Sequence, residues 1–157
     1  MREMDELKAT VAKLRAEDGC PWDRAQTHES LKAACVEEAA EVLCGIDILS
    51  ETGRCENLRE ELGDLLLQVV MHAQIAEEEG LFTLEDVVRG INEKMIRRHP
   101  HVFAGASFAD EDELMQDWKA VKAREKAGRE WEADYLPGSF REAEQLIGRA
   151  KARKGIE

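Results

Sequence analysis

Glu38 and Glu41 are three residues apart, and Glu61 and Asp64 repeat that spacing further along the chain. On an α-helix, residues three or four apart share a face, so each pair projects to one side. If the two helices are neighbours, four carboxylates converge. Such a group repels itself unless protons or cations bridge it, and an all-oxygen set suits hard ions such as magnesium, with manganese as a substitute. Glu38 lies between Cys35 and Val42 in an otherwise apolar stripe, where an unpaired carboxylate is expensive. Glu61, Asp64, Gln68 and His72 form a second polar line among apolar neighbours. Glu37, Glu56, Glu60, Glu77, Glu78 and Glu79 lie on or beside polar helix faces, and a solvated acidic surface accounts for them. A di-iron centre would need Glu-x-x-His on two helices, and no histidine here follows a glutamate at that distance.

The elements that must position these groups are readable from apolar periodicity. Leu7, Val11 and Leu14 predict a first amphipathic helix ending near Asp18-Gly19, after which Cys20-Pro21-Trp22-Asp23 begins a loop. Leu31, Cys35, Val42, Ile46 and Leu49 predict a second helix from about His28 to Leu49, with Thr27 as N-cap and Thr52-Gly53 as its end. Leu58, Leu62, Leu65, Val69 and Ala76 predict a third from about Glu56 to Glu79, stopped by Gly80. Gly63 inside it costs about 1 kcal/mol against alanine, which a close approach by a neighbouring helix or ligand would explain. A fourth helix runs from Thr83 to Pro100 with Val87, Ile91 and Met95 inward, and a fifth from Ala109 to Lys126 with Leu114, Trp118 and Val121 inward. Gly128, Pro137 and Gly138 mark loop or linker before a short terminal helix, Phe140 to Lys154, whose basic end is expected to be mobile.

The expected class is all-α: antiparallel helical hairpins forming a four-helix-bundle-like core, completed by dimerisation, because the apolar faces of one long hairpin are too broad to cover themselves. Residues 1–128 are expected to form the catalytic domain and 129–157 a linker with a short helical tail. Of 157 residues, 5% are aromatic, which suits helix packing better than a sandwich or barrel. Lys and Arg number 22 against 34 Asp and Glu, and the net charge of -12 disfavours a nucleic-acid polymer as partner. A single nucleotide carried with a divalent cation is compatible with that charge. The first residues lack a signal-peptide pattern, and Leu65 to Met71 is far too short to span a bilayer. Cys20, Cys35, Cys44 and Cys55 form no CxxC pair, so reduced thiols and a cytoplasmic location are expected.

Glu37-Glu38-x-x-Glu41 followed by Glu61-x-x-Asp64 matches the metal-binding pattern of the all-α nucleoside triphosphate pyrophosphohydrolases. Cys20-Pro21-Trp22-Asp23, Gln26-Thr27-His28, Glu61-Leu62-Gly63-Asp64-Leu65-Leu66 and Arg97-Arg98-His99-Pro100-His101-Val102-Phe103 resemble MazG proteins in the same order, from about Leu7 to Lys126. The resemblance implies an oligomer of helical hairpins that hydrolyses a nucleoside triphosphate to monophosphate and pyrophosphate. It implies Glu38, Glu41, Glu61 and Asp64 as metal ligands, Lys94 and Arg98 as phosphate contacts, and Trp118 and Lys122 as completing the nucleotide site. Trp22 and Gln26 are expected near the base. Lys94 and Arg98 are one helical turn apart, as are Trp118 and Lys122, so each pair can address one ligand. Longer MazG proteins often carry two such domains; here one catalytic unit is expected, and Leu136-Pro137-Gly138-Ser139 resembles the linker before a second.

In the implied reaction the carboxylate-held metal neutralises charge on the departing pyrophosphate and orients water toward the α-phosphorus. Glu37 or Glu41 would accept the water's proton, and the sequence does not choose between them. His28, His72, His99 and His101 are expected as capping, core or loop residues. The competing readings are a non-enzymatic helical dimerisation module and a nucleotide-sensing module. The first assembles without chemistry, and the second binds a triphosphate without releasing pyrophosphate.

Overall fold

The computed structural model describes residues 2–156. Among them every regular element is helical: α1 Arg2–Arg15, α2 Pro21–Arg24, α3 Lys32–Thr52, α4 Glu56–Glu78, α5 Leu84–Arg98, α6 Pro100–Phe103, α7 Glu111–Lys126, a 3-10 turn Glu130–Asp134, and α8 Leu136–Lys154. The all-α expectation holds. The chain divides into two compact units, one running to Leu84 and resuming at Arg141, the other being Glu85–Phe140. No helix among the described residues is long and apolar enough to cross a membrane, and the four cysteines are free thiols.

The first unit is built on the antiparallel hairpin of α3 and α4. Gly53 and Gly80, the two expected helix stops, both adopt left-handed φ, 74° and 70°, which residues with a Cβ rarely take. Where the two long helices come closest the small residue is Gly45, not Gly63. A Cβ on Gly45 would lie 2.8 Å from the Leu58 Cα, whereas one on Gly63 would meet nothing within 4 Å. Among the described residues no close approach is made at Gly63, and Gly45 supplies one from the opposite helix.

α1 crosses the later half of α4, and the core forms there: Val11, Leu31, Val70, Met71, Ala73, Ile75 and Leu84, flanked by Met4, Leu7, Leu66 and Leu67. This changes the stripe expected for α4. Ala76 is buried as expected, but Leu62 and Val69 remain 50% and 40% exposed. The half of α4 covered by both α1 and α3 buries a wide face, while the half near the hairpin turn has α3 alone. Within the first unit, α1 thus covers the later half of the α3–α4 hairpin.

Arg15, 9% exposed at the end of α1, ties this unit together. Its guanidinium donates to Glu78 on α4 through Nε at 3.0 Å and Nη2 at 2.8 Å, and through Nη1 to the carbonyls of Asp23 and Gln26. One buried cation thereby fixes α1, α4 and the segment around α2. That segment was expected to be loop, but Pro21 opens a helical turn, since proline's fixed φ and missing N–H suit a first helical position.

Three boundaries also moved. α3 starts at Lys32 rather than His28, because Thr27 caps the preceding turn instead, its Oγ1 accepting from Ser30 N at 3.2 Å. α7 starts after Asp110, whose side chain accepts from Glu113 N at 2.9 Å. α8 starts at Leu136, so Pro137 and Gly138 lie in its first turn rather than in a linker, where the missing proline N–H is harmless. Its basic end, expected to be mobile, makes ion pairs with α3: Arg153 with Glu37, and Lys154 with Glu37 and Glu41.

In the second unit, Glu125 of α7 accepts from both Arg97 and Arg98 of α5, at 2.9 Å and 2.6 Å, joining the two helices.

Gly45→Ala should lower the unfolding free energy by about 1–3 kcal/mol through backbone crowding, while Gly63→Ala should leave it unchanged or raise it by about 0.5–1 kcal/mol. Urea titrations of both variants check this, and equal effects would contradict the packing described. Arg15→Ala should cost about 2–4 kcal/mol. The Arg15 hydrogen bond holds the Glu78 carboxyl below its usual range. A depressed folded value means that this stabilisation is present above the unfolded value of about 4.3 and is lost as pH falls through the folded one. Acid unfolding curves should therefore lose part of their steepness in the Arg15 variant.

Candidate functional site

The Gly45–Leu58 contact sets the register of the carboxylates. Going back along α3 from Gly45, Glu41 comes after about one turn and Glu38 after about two; going forward along α4 from Leu58, Glu61 and Asp64 come at the same levels. The antiparallel hairpin therefore brings the two pairs face to face. Ligand oxygens of Glu38, Glu61 and Asp64 all lie within 4.8 Å of one another, and all three residues are half-buried. Asn57, one turn before Glu61, donates from Nδ2 to Glu61 Oε1 at 2.8 Å and fixes its rotamer.

The electrostatics follow from that crowding. Partial burial, then the charges of Asp64, Glu61 and Glu37, push the Glu38 carboxyl above its ordinary range, with Lys154 only partly offsetting them. A set of hard oxygens whose ionised forms disfavour one another fits a divalent oxygen-seeking cation, which would supply the missing positive charge.

Glu37 and Glu41 stand apart from these three. The Arg153 and Lys154 hydrogen bonds hold Glu37 below its usual range, and Lys154 also takes Glu41. Of the four expected ligands, three converge and Glu41 is paired with a lysine. A cavity of about 390 Å³ lies between the hairpin and α8, with Glu37, Glu41 and Glu61 on one side and Lys151 and Lys154 on the other.

The polar line of α4 continues away from the carboxylates. Gln68 is 8% exposed, and its Oε1 has no hydrogen-bond partner among the described residues. His72 comes next, its Nδ1 2.7 Å from His28 Nδ1 and its Nε2 3.3 Å from Cys35 Sγ. The His28 and His72 rings stack with centroids 5.0 Å apart. Burial, then His28, lowers the proton affinity of His72, and burial raises that of the Cys35 thiol. Cys35, His28 and His72 thus form one cluster of a thiol and two stacked imidazoles beside the polar line of α4.

Trp22 is 66% exposed on α2. Gln26 donates to the Trp22 carbonyl at 2.9 Å and accepts from Ser30 Oγ at 2.8 Å, so it braces its own turn. In the second unit, Lys122 Nζ lies 4.5 Å and the Arg98 guanidinium carbon 6.0 Å from the Trp118 ring centroid. Arg98 uses Nε and Nη2 on Glu125, while Lys94 makes no ion pair among the described residues. Arg98, Trp118 and Lys122 form one cluster of cations around an aromatic ring.

Several contributors were absent from the sequence reading. Asn57 was detectable, since it stands four residues before Glu61. Glu125, Arg153 and Lys154 were not, because their partners are remote in sequence and ion pairs leave no periodic signal.

The fold and site define an all-helical protein whose central hairpin presents a half-buried carboxylate group able to hold a metal ion. Comparison with known proteins agrees. Residues 26–103 match the MazG nucleotide pyrophosphohydrolase domain, and the chain belongs to that family. It is 50% identical over 125 residues to the nucleoside triphosphate pyrophosphohydrolase/pyrophosphatase MazG of Thermotoga maritima, a match covering 78% of this chain and 45% of that one. It is 42% identical over 128 residues to the nucleoside triphosphate pyrophosphohydrolase of Escherichia coli K12, covering 81% and 47%. An uncharacterised protein of Bacillus subtilis is 47% identical over 124 residues, covering 79% of this chain and 24% of that one. The chain thus spans about half the length of the first two relatives and about a quarter of the third.

Glu38→Gln removes one of three crowded charges, so it should raise the metal-free melting midpoint by about 2–4 °C. Added Mg2+ should stabilise the unsubstituted protein and not the variant, as measured by calorimetry. A lower metal-free midpoint in the variant would show that the protein already compensates this carboxylate.

Proposed function

We propose that the chain is a magnesium-dependent nucleoside triphosphate pyrophosphohydrolase, converting ribo- or deoxyribonucleoside triphosphates to monophosphates and pyrophosphate. The observation that carries this reading is the convergence of Glu38, Glu61 and Asp64 in a chain of the MazG family. Those three residues, joined by Glu41, would hold the metal. When bound, Mg2+ would supply positive charge against the phosphate oxygens and the leaving pyrophosphate, with Mn2+ able to replace it.

The remaining roles fall to the chain's own side chains. Asn57 keeps Glu61 in position for a ligand. Glu37 and Glu41, outside the cluster of three, are the candidate acceptors of a proton from the attacking water. Lys94 and Arg98 would neutralise phosphate charge, and Trp118 with Lys122 would receive the nucleotide, aided by Trp22 and Gln26. Arg98 presents a guanidinium already oriented by Glu125, which lowers the entropy cost of a bidentate phosphate contact.

Leu43, Ile46, Leu49, Leu62 and Val69 are exposed on the hairpin. Burying them against a second copy would complete a four-helix core, so the working form is a homodimer or larger homo-oligomer. Residues 1–128 serve as the catalytic domain, the partner is a free nucleotide rather than a polymer, and the setting is the cytoplasm, where surplus or aberrant nucleotides are removed.

Incubation with a panel of nucleoside triphosphates should release pyrophosphate and monophosphate with Mg2+ and nothing with excess EDTA. Glu38→Gln and Asp64→Asn should each lower kcat/KM by about a hundredfold or more while remaining folded. Orthophosphate with diphosphate would move the cleaved bond, and tight triphosphate binding without turnover would support the sensing module.

A further inference from the structure

The basic end of α8 lies on the acidic residues that flank the metal ligands. Lys154 Nζ is 3.0 Å from Glu37 Oε1 and contacts Glu41 Oε1 as well, while Arg153 Nη2 contacts Glu37 Oε2. Near the other end of the helix, Glu142 Oε2 is 3.2 Å from Lys32 Nζ, at the start of α3. The pairs follow the same order along both helices, so α8 is fastened to α3 at two points. Cations at the last turn of a helix are also favoured by its dipole, which makes Arg153 and Lys154 a stable place from which to present positive charge.

We propose that Lys154, supported by Arg153, is a positioning residue that holds Glu41 and Glu37 away from the metal ligands and competes with the divalent cation for them. The proposal rests on the metal-site reading of Glu38, Glu61 and Asp64. Its basis is geometric and electrostatic. Glu41 shares the helix face of Glu38 yet is absent from the cluster whose oxygens lie within 4.8 Å, and its carboxylate is taken by Lys154. One carboxylate oxygen cannot give its full interaction to an ammonium and to a divalent ion together, and two fixed cations nearby oppose the arrival of a third. Metal loading therefore has to release Glu41 from Lys154 and loosen the end of α8. Linkage makes the effect reciprocal: a docked α8 weakens metal binding, and bound metal undocks α8.

The test is a Mn2+ titration of the full chain, following free Mn2+ by electron paramagnetic resonance, for the unsubstituted protein, R153Q/K154Q, K154R and E38Q. R153Q/K154Q should bind roughly three- to tenfold more tightly, the range expected for removing a few partly exposed ion pairs, while K154R stays near the unsubstituted value. Hydrogen exchange at the amides of the last turns of α8 should become faster on saturation with Mg2+. Unchanged or weaker Mn2+ affinity in R153Q/K154Q with an intact helical circular dichroism signal would overturn the proposal, as would α8 amides that stay equally protected. If the unsubstituted protein binds and E38Q does not, that failure belongs to Lys154 alone. If the unsubstituted protein binds no Mn2+, the metal-site reading falls and takes this proposal with it.

Discussion

Half-burying Glu38 between two helices puts a charge where water can solvate it only in part, with Asp64 and Glu61 close enough to oppose its ionisation. The hairpin can tolerate this arrangement only because its backbones are held rigidly together by other contacts. Those contacts are Gly45 against Leu58 at one level and the apolar cluster of Val70, Met71 and Ile75 with α1 at another. Stability gained in the covered half of α4 offsets the repulsion tolerated in the other half. This is how a fold of modest net stability can keep a locally unfavourable group ready for a cation.

The cations of the two units differ in how far they are committed to structure. Arg15 is buried, bonded in several directions and committed to structure, with Glu78 as its counter-charge. Arg97 and Arg98 share Glu125, with the Arg98 and Glu125 side chains only 17% and 15% exposed. The Arg153 and Lys154 side chains are 63% and 39% exposed, so the desolvation that makes a buried pair hard to break is smaller for them than for Arg15. Arg153 and Lys154, next to Glu37 and Glu41, thus exchange partners more readily than Arg15, which anchors α1.

The hairpin is also lopsided in its covering. Its later half carries α1 over α4, whereas Leu43, Ile46 and Leu62 toward the turn remain exposed. Apolar surface of that extent on a long, regular pair of helices suits association with another helical face, and the carboxylates lie between the packed and the open regions.

Helical class, the long α3 and α4, their glycine stops and the facing of Glu38 with Glu61 and Asp64 were all legible from residue spacing. Those features depend on helix periodicity and local caps, which a sequence carries directly. The buried face of α4 was only partly legible, because which apolar residues are covered depends on where α1 crosses. Gly63 drew attention as the unusual residue in its helix, yet the close approach is at Gly45, since interhelical distance depends on the register of two segments together. Leu136–Ser139 read as a linker because proline and glycine break helices in their interior, whereas at a helix start the same residues are tolerated. Spacing along the chain thus determined the helices and the identity of the carboxylates. Tertiary structure alone decided that Glu41 pairs with Lys154 and that Glu125 orients Arg98, because charge pairing between distant residues depends on distances in space that no local pattern encodes.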